Sequence, residues 1–152
     1  MSDTSVSASI TVDVPPERAF HVFTAGIGSW WNPDHHILEA PLKDMVFEQF
    51  VGGNVYDLGT DGSECRWSRV LAYEPPERVV FSWDITLQWE VETDPSHTSE
   101  VEVTFTPDGP QRTTVRLEHR HLDRHGTGWE QMATAVDTGW QDGVQRFARA
   151  LT

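Results

Sequence analysis

The chain has 152 residues, 38% of them hydrophobic, and 11 basic against 24 acidic residues give a formal charge of -13. That length buries one core and is too short for two ordinary domains, so a single domain over 1–152 with a flexible tail at 1–5 is expected. The charge repels phosphate backbones and anionic lipid, which argues against nucleic acid or a membrane surface as partners.

No apolar run approaches the length of a membrane span, and Met1-Ser2-Asp3-Thr4-Ser5 lacks the basic and apolar regions of a secretion signal. Cys65 is the single cysteine, so no intrachain disulfide forms, in keeping with a reducing compartment. A cytoplasmic location is the expectation.

Val6 to Val14 alternates apolar and polar residues and predicts a half-buried strand. Pro15-Pro16-Glu17 ends it and starts a short helix carrying Ala19, Phe20 and Phe23. A second short helix or turn is expected at Ile27 to Trp31, then loop from Asn32 to Lys43. Six strands follow, at about Met45–Phe50, Val55–Leu58, Glu64–Glu74, Arg78–Glu92, Ser99–Pro107 and Arg112–Leu122. Turn signals separate them at Gly52-Gly53, Asp61-Gly62, Pro75-Pro76, Asp94-Pro95 and Asp108-Gly109-Pro110. Such short connections imply an antiparallel meander.

Alternation places Val79, Phe81, Trp83, Ile85, Leu87, Trp89 and Val91 on one face of the long strand Arg78–Glu92, the fifth in the chain. Val101, Val103 and Phe105 face inward from the next, and Val115, Leu117, His119 and His121 from the last, with Arg116, Glu118 and Arg120 outward. The alternation of Glu64–Glu74 is poor, as a bulge would make it.

Thr127 to Leu151 has the period of one long amphipathic helix, with Trp129, Met132, Ala133, Val136, Trp140, Gly143, Val144, Phe147 and Leu151 in one apolar stripe. At 1.5 Å per residue it is roughly 35 Å long and crosses the width of a small domain. Thr127 and Glu130 have the spacing of a capping box. The order of elements predicts an α+β architecture in which a strongly curved antiparallel sheet packs on this helix.

Particular residues then show a family likeness. Gly52-Gly53-Asn54-Val55-Tyr56, Asp61-Gly62-Ser63 and the run from Trp67-Ser68-Arg69 through Tyr73-Glu74-Pro75-Pro76-Glu77-Arg78 to Phe81-Ser82-Trp83 resemble the heat-shock-protein ATPase-activator-like family. Trp30-Trp31-Asn32-Pro33 is similar to its early tryptophan motif, and Gly126-Thr127-Gly128-Trp129 with Gly139-Trp140 to its closing helix. That family belongs to the START and Bet v 1-like superfamily. The resemblance runs from about Ser7 to Leu151 and implies a helix-grip fold. In that fold a seven-stranded antiparallel sheet wraps the C-terminal helix, two short helices follow the first strand, and a cavity for an apolar ligand often remains.

Relatives often carry an aliphatic residue where this chain has Gly143, which here leaves room in a cavity, permits close approach of the sheet, or is simply a tolerated small residue. Eukaryotic activators have a further domain that grips the chaperone, for which this chain has no room. A chaperone partner is therefore an alternative only, and a homodimer through an exposed apolar edge is another.

Candidate ligand-binding residues are Trp30, Trp31, His35, Trp83, Trp89, Phe105, His119, His121, Val136, Trp140 and Gly143, since pockets and cores are lined by the same apolar and aromatic types. His119 and His121, with Glu48 or Arg69 as partner, are the candidates for acid–base chemistry of the cyclase and dehydratase kind found in related proteins. His35-His36, Cys65 and Glu48 add metal-ligating types without the spacing of a metal site, so no metal is expected. Phosphate-loop, nucleophile-elbow and cofactor motifs are all missing, so no cofactor is expected. The expected function is binding of a small hydrophobic molecule under the C-terminal helix, with a cyclase or hydrolase and a chaperone-associated module as alternatives.

Overall fold

The structure is a computed structural model that describes residues 4–32, 38 and 40–151. Strand β1 (Val6–Val12) leads into helix α1 (Pro16–Thr24) and a 3-10 turn at Ile27–Ser29. Six strands follow: β2 (Leu42–Phe47), β3 (Asn54–Gly59), β4 (Glu64–Glu74), β5 (Arg78–Trp83), β6 (Ser99–Pro107) and β7 (Thr113–Arg120). A 3-10 turn at Leu122–His125 precedes helix α2 (Trp129–Ala150). The sheet order is β1-β7-β6-β5-β4-β3-β2, every pair antiparallel, which is the helix-grip arrangement.

Each element buries the face its pattern dictates. Helix α2 buries Met132, Val136, Trp140, Gly143, Val144 and Phe147, the centre of the stripe read from the sequence. The sheet answers with Val79, Phe81 and Trp83 of β5, Val101, Val103 and Phe105 of β6, and Val115, Leu117 and His119 of β7. Pro16 opens α1, where its missing N–H costs nothing, and the helix seats Ala19, Phe20 and Phe23 in the core. Phe23 joins the layers, with its ring centroid 5.5 Å from Phe147 of α2 and 5.8 Å from Phe105 of β6.

β4 is bulged at two places. Val55 pairs with Ser68 and Tyr56 with Arg66, which skips Trp67; Val70 pairs with Phe81 and Ala72 with Val80, which skips Leu71. Each extra residue reverses the alternation, so Trp67 and Ser68 are both buried and Leu71 is exposed.

Four expectations need correction. The fifth strand of the sequence reading stops at Trp83 rather than Glu92, because β6, its ladder partner, begins at Ser99 opposite Trp83. Beyond it the chain folds on itself around Thr86, whose hydroxyl accepts from the amides of Gln88 and Glu90. Trp89 there takes a left-handed φ of 62° and is 46% exposed. The strand expected at Met45–Phe50 instead covers Leu42–Phe47, and Phe50 and Val51 are exposed at the following turn. His121 is not part of the inner face: β7 ends at Arg120, and His121 turns out of the strand with φ 61°. The Thr127–Glu130 capping box does not form, since left-handed Gly126 and Gly128 delay the helix and Gly128 itself is the N-cap, without a side-chain cap. The third helical position is then Gln131, not Glu130.

Candidate functional site

Between α2 and the β3–β5 part of the sheet lies a cavity of about 360 Å³. Ala135, Val136, Gly139, Trp140, Asp142 and Gly143 of α2 form one side, and Asp57, Trp67, Trp83 and Ile85 form the other. Trp30, Trp31 and Asn32 close one end, and Trp89 of the hairpin after β5 also lines it. Six of the seven tryptophans therefore line this space.

Four of these indoles form a closed ring. Centroids are 5.5 Å apart for Trp31–Trp67, 5.4 Å for Trp67–Trp83, 5.8 Å for Trp83–Trp140 and 5.6 Å for Trp140–Trp31. The rings meet at tilted or edge-on angles, which place the positive edge of one indole against the negative face of the next. The N–H groups of Trp30, Trp67 and Trp140 are spent on the protein, at Val22 O, Asp57 Oδ1 and His119 Nδ1. What these indoles offer the cavity is mainly apolar surface.

The two helix glycines make the space. A methyl group at Gly139 would meet no atom within 4 Å, and one at Gly143 would touch Trp140 and Trp30 at 3.7 Å. Gly143 lines the cavity, and no sheet atom lies within 4 Å of where its Cβ would be, so close approach of the sheet is not what the glycine allows.

His119 stands behind the wall. It is fully buried, with Trp83 and Trp140 rings 5.2 and 6.3 Å away, and burial pushes its pKa down to about 3, helped by the charge of His125. Such a group is neutral at pH 7 and a poor proton acceptor. Its ring nitrogens are taken by Trp140 Nε1 at 3.1 Å and Ser99 Oγ at 2.7 Å. Ser99 Oγ also meets His125 Nε2 at 2.7 Å, so His125, and not His121, is the second histidine of this cluster.

Other candidates lie elsewhere. Arg69 forms a bidentate pair with Asp84 and a bond to Thr98, while Glu48 accepts from the Asn54 amide and Arg66. Phe105 packs on Phe20 and Phe23 and does not line the cavity. His35 lies outside the described residues. Trp30, Trp31, Trp83, Trp89, Val136, Trp140 and Gly143 all line it. Trp67 and Asp57 were missed: the bulge that turns Trp67 inward breaks the alternation, and Asp57 sits on a short strand whose burial no pattern marks.

A second, more polar cleft of about 510 Å³ shares Trp30 and Trp31 and adds Lys43, Asp44, Arg146 and Arg149. Two of these charged groups have partners within the chain, Arg146 with Asp142 at 2.7 Å and Asp44 with the Met45 amide at 2.8 Å. Among the described residues, no group of three or more His, Cys, Asp or Glu is placed to hold a metal ion, and no helix is long and apolar enough to cross a membrane.

With fold and cavity in place, comparison with known proteins gives the family. The family model described as "Activator of Hsp90 ATPase homolog 1-like protein" matches residues 13–152, and the chain belongs to that family. A solved structure described as an anthrahydroquino-gamma-pyrone synthase, Txn09, is 36% identical, with 96% of each chain covered and a TM-score of 0.69. CalC of Micromonospora echinospora, described as a self-sacrificing resistance protein, is 30% identical over 97% of this chain and 93% of its own, with a TM-score of 0.68. No curated protein matches this chain.

Proposed function

We propose that the cavity binds a flat, uncharged, polycyclic aromatic molecule of about three fused rings. The observation that carries this is the ring of four indoles around a space of about 360 Å³, a size within the usual range for small-molecule pockets. Indole faces and edges stack on flat π systems, which a branched aliphatic ligand does not exploit. Among the described lining residues no Lys or Arg is present, while Asp57 and Asp142 are, so a carboxylate or phosphate is disfavoured and a phenolic donor is favoured. The 36% identical relative is described as making an anthrahydroquinone-based product, a molecule of this shape class. A lone thiol and an acidic surface suit action in the cytoplasm.

The test is a titration with 1,8-dihydroxyanthraquinone, read by quenching of tryptophan fluorescence and by native mass spectrometry. One-to-one, saturable binding supports the proposal. Absence of both signals, with this compound and with a panel of two- to four-ring phenols, removes it.

A second reading is ring closure on such a molecule, favoured by the relative described as a synthase. Holding reacting groups together then supplies most of the acceleration, and Asp57, the buried carboxylate of the wall, is the proton carrier. Asp57→Asn that binds the phenol panel but turns over a polyketide-type precursor as fast as the parent protein eliminates this version.

A further inference from the structure

Behind Trp140 runs a chain of three hydrogen bonds, and the indole at its head fixes the directions of the first two. An indole N–H only donates, so the 3.1 Å contact from Trp140 Nε1 makes His119 Nδ1 an acceptor. His119, neutral in this buried place, must then carry its proton on Nε2 and donate it to Ser99 Oγ at 2.7 Å. Ser99, having accepted, still needs an acceptor for its own hydrogen, and His125 Nε2 at 2.7 Å provides one when the His125 proton sits on Nδ1. Ser99 and His119 are fully buried, and the chain ends at a half-buried histidine in the turn after β7.

We propose that His119, Ser99 and His125 are positioning residues that set the plane of the Trp140 indole and thereby the shape of the cavity, and that proton uptake by His125 loosens this hold. The shape argument rests on the cavity being the binding site; the hydrogen-bond chain does not. A proton on His125 Nε2 converts that nitrogen into a donor. Ser99 Oγ then faces two N–H groups, and its own hydrogen loses its acceptor. Reversal of the chain is blocked, because it would put a proton on His119 Nδ1 against the Trp140 N–H. The chain therefore has one stable polarity, and a buried hydroxyl left without an acceptor is costly.

The groups facing His125 are few. Glu92 and Asp84 approach from the hairpin after β5 and favour its charged form, but burial outweighs them and keeps its pKa below the ordinary value. Asp84 is held by Arg69 at 3.0 Å, and Glu92 has His97 at 3.9 Å. From β7 comes neutral His119, and the adjacent Arg124 is paired with Glu100 at 3.6 Å.

The test uses 15N-labelled protein without ligand, and then dihydroxyanthraquinone. In the parent protein the Trp140 indole N–H resonance is expected to move as pH falls from 8 to 5, with the apparent pKa of the His125 ring. In Ser99→Ala that movement disappears, and dihydroxyanthraquinone binding at pH 8 weakens by about 5-fold, the size of one lost hydrogen bond. Ser99→Thr, which keeps the hydroxyl, restores both. His125→Gln removes the titration without touching the core and reports the same coupling should Ser99→Ala fold poorly. A Trp140 resonance that ignores pH in the parent and is unmoved by either substitution overturns the proposal. If dihydroxyanthraquinone does not bind while the resonance titrates as stated, the chain stands and the binding function alone fails.

Discussion

Arg69 and Asp84 lie face to face, with Nε and Nη2 of the guanidinium each 3.0 Å from one oxygen of the carboxylate. The pair joins β4 just beyond its bulge to the first residue after β5, and Thr98 accepts a further bond from Arg69 at 3.2 Å. Asp84 is buried, whereas the Arg69 side chain is partly open. Asp84→Ala leaves the partly open Arg69 without its carboxylate partner and is expected to cost about 1 kcal/mol, read by urea denaturation at pH 7. A loss under 0.5 kcal/mol, on the order of the value of an exposed pair, contradicts this account.

His119 makes stability depend on pH. Its native pKa lies at about 3 against an ordinary 6.5, so between these values the unfolded chain holds the extra proton. The contribution is complete above pH 6.5 and is lost as pH falls towards 3, by up to about 1.4 kcal/mol per pH unit. His125 is shifted in the same direction. His119→Gln keeps an acceptor for Trp140 and a donor for Ser99 but does not titrate. The difference in stability between parent and variant should move in favour of the variant as pH drops from 7 to 4.5, and parallel curves would refute the assignment.

Gly139 opens on empty space, and Gly143 on van der Waals contact. Gly139→Ala is expected to raise stability by about 1 kcal/mol through helix propensity alone. Gly139→Leu should fill the cavity and reduce dihydroxyanthraquinone binding at least about 10-fold without loss of stability. Thermal melts and the fluorescence titration together check the pair; a destabilised Gly139→Ala would mean the space is not there.

Trp89 carries a left-handed backbone with a bulky side chain, a conformation that costs on the order of 1 kcal/mol. Trp89→Gly removes the strain and one wall of the cavity at once. Stability should hold or rise slightly while ligand affinity falls several-fold, so the two measurements move in opposite senses. A simple packing role predicts loss in both.

Cys65 is a packing residue rather than a reactive thiol. Burial, together with the charge of Asp57, pushes its pKa from 9.0 up to about 11. At pH 8 this lowers the thiolate fraction about 100-fold, and reaction with a thiol-specific disulfide reagent should be slower than in the urea-unfolded chain by at least that factor. Equal rates would show an activated cysteine.

The sequence discloses long, regular features and conceals local ones. The stripe of α2 from Met132 to Phe147 is readable because about four turns repeat one period, and β6 is readable to the residue because Val101, Val103 and Phe105 alternate without interruption. Trp67 is hidden because a bulge resets the parity of β4. The end of β5 is hidden because the apolar alternation continues past it, while Thr86 diverts the backbone with side-chain bonds that no periodicity shows. Five tryptophans of the cavity were recognisable as a class, but the ring joins three of them to Trp67 and depends on four separate parts of the chain meeting: the segment after the first 3-10 turn, β4, β5 and α2. His125 depends on a 3-10 turn that folds back to Ser99 after β7 has ended.

The place of β1 has a consequence for how the chain is made. Among the described residues its one ladder partner is β7, with Val6 opposite His119, and Gln141 of α2 bonds back to Ser7. During synthesis β1 therefore waits for its partner until β7 and α2 have emerged behind it. Closing that loop is entropically expensive and comes late in folding. The tryptophan ring, which needs Trp140 from α2, closes no earlier than this late step, so the cavity is one of the last features of the fold to take shape.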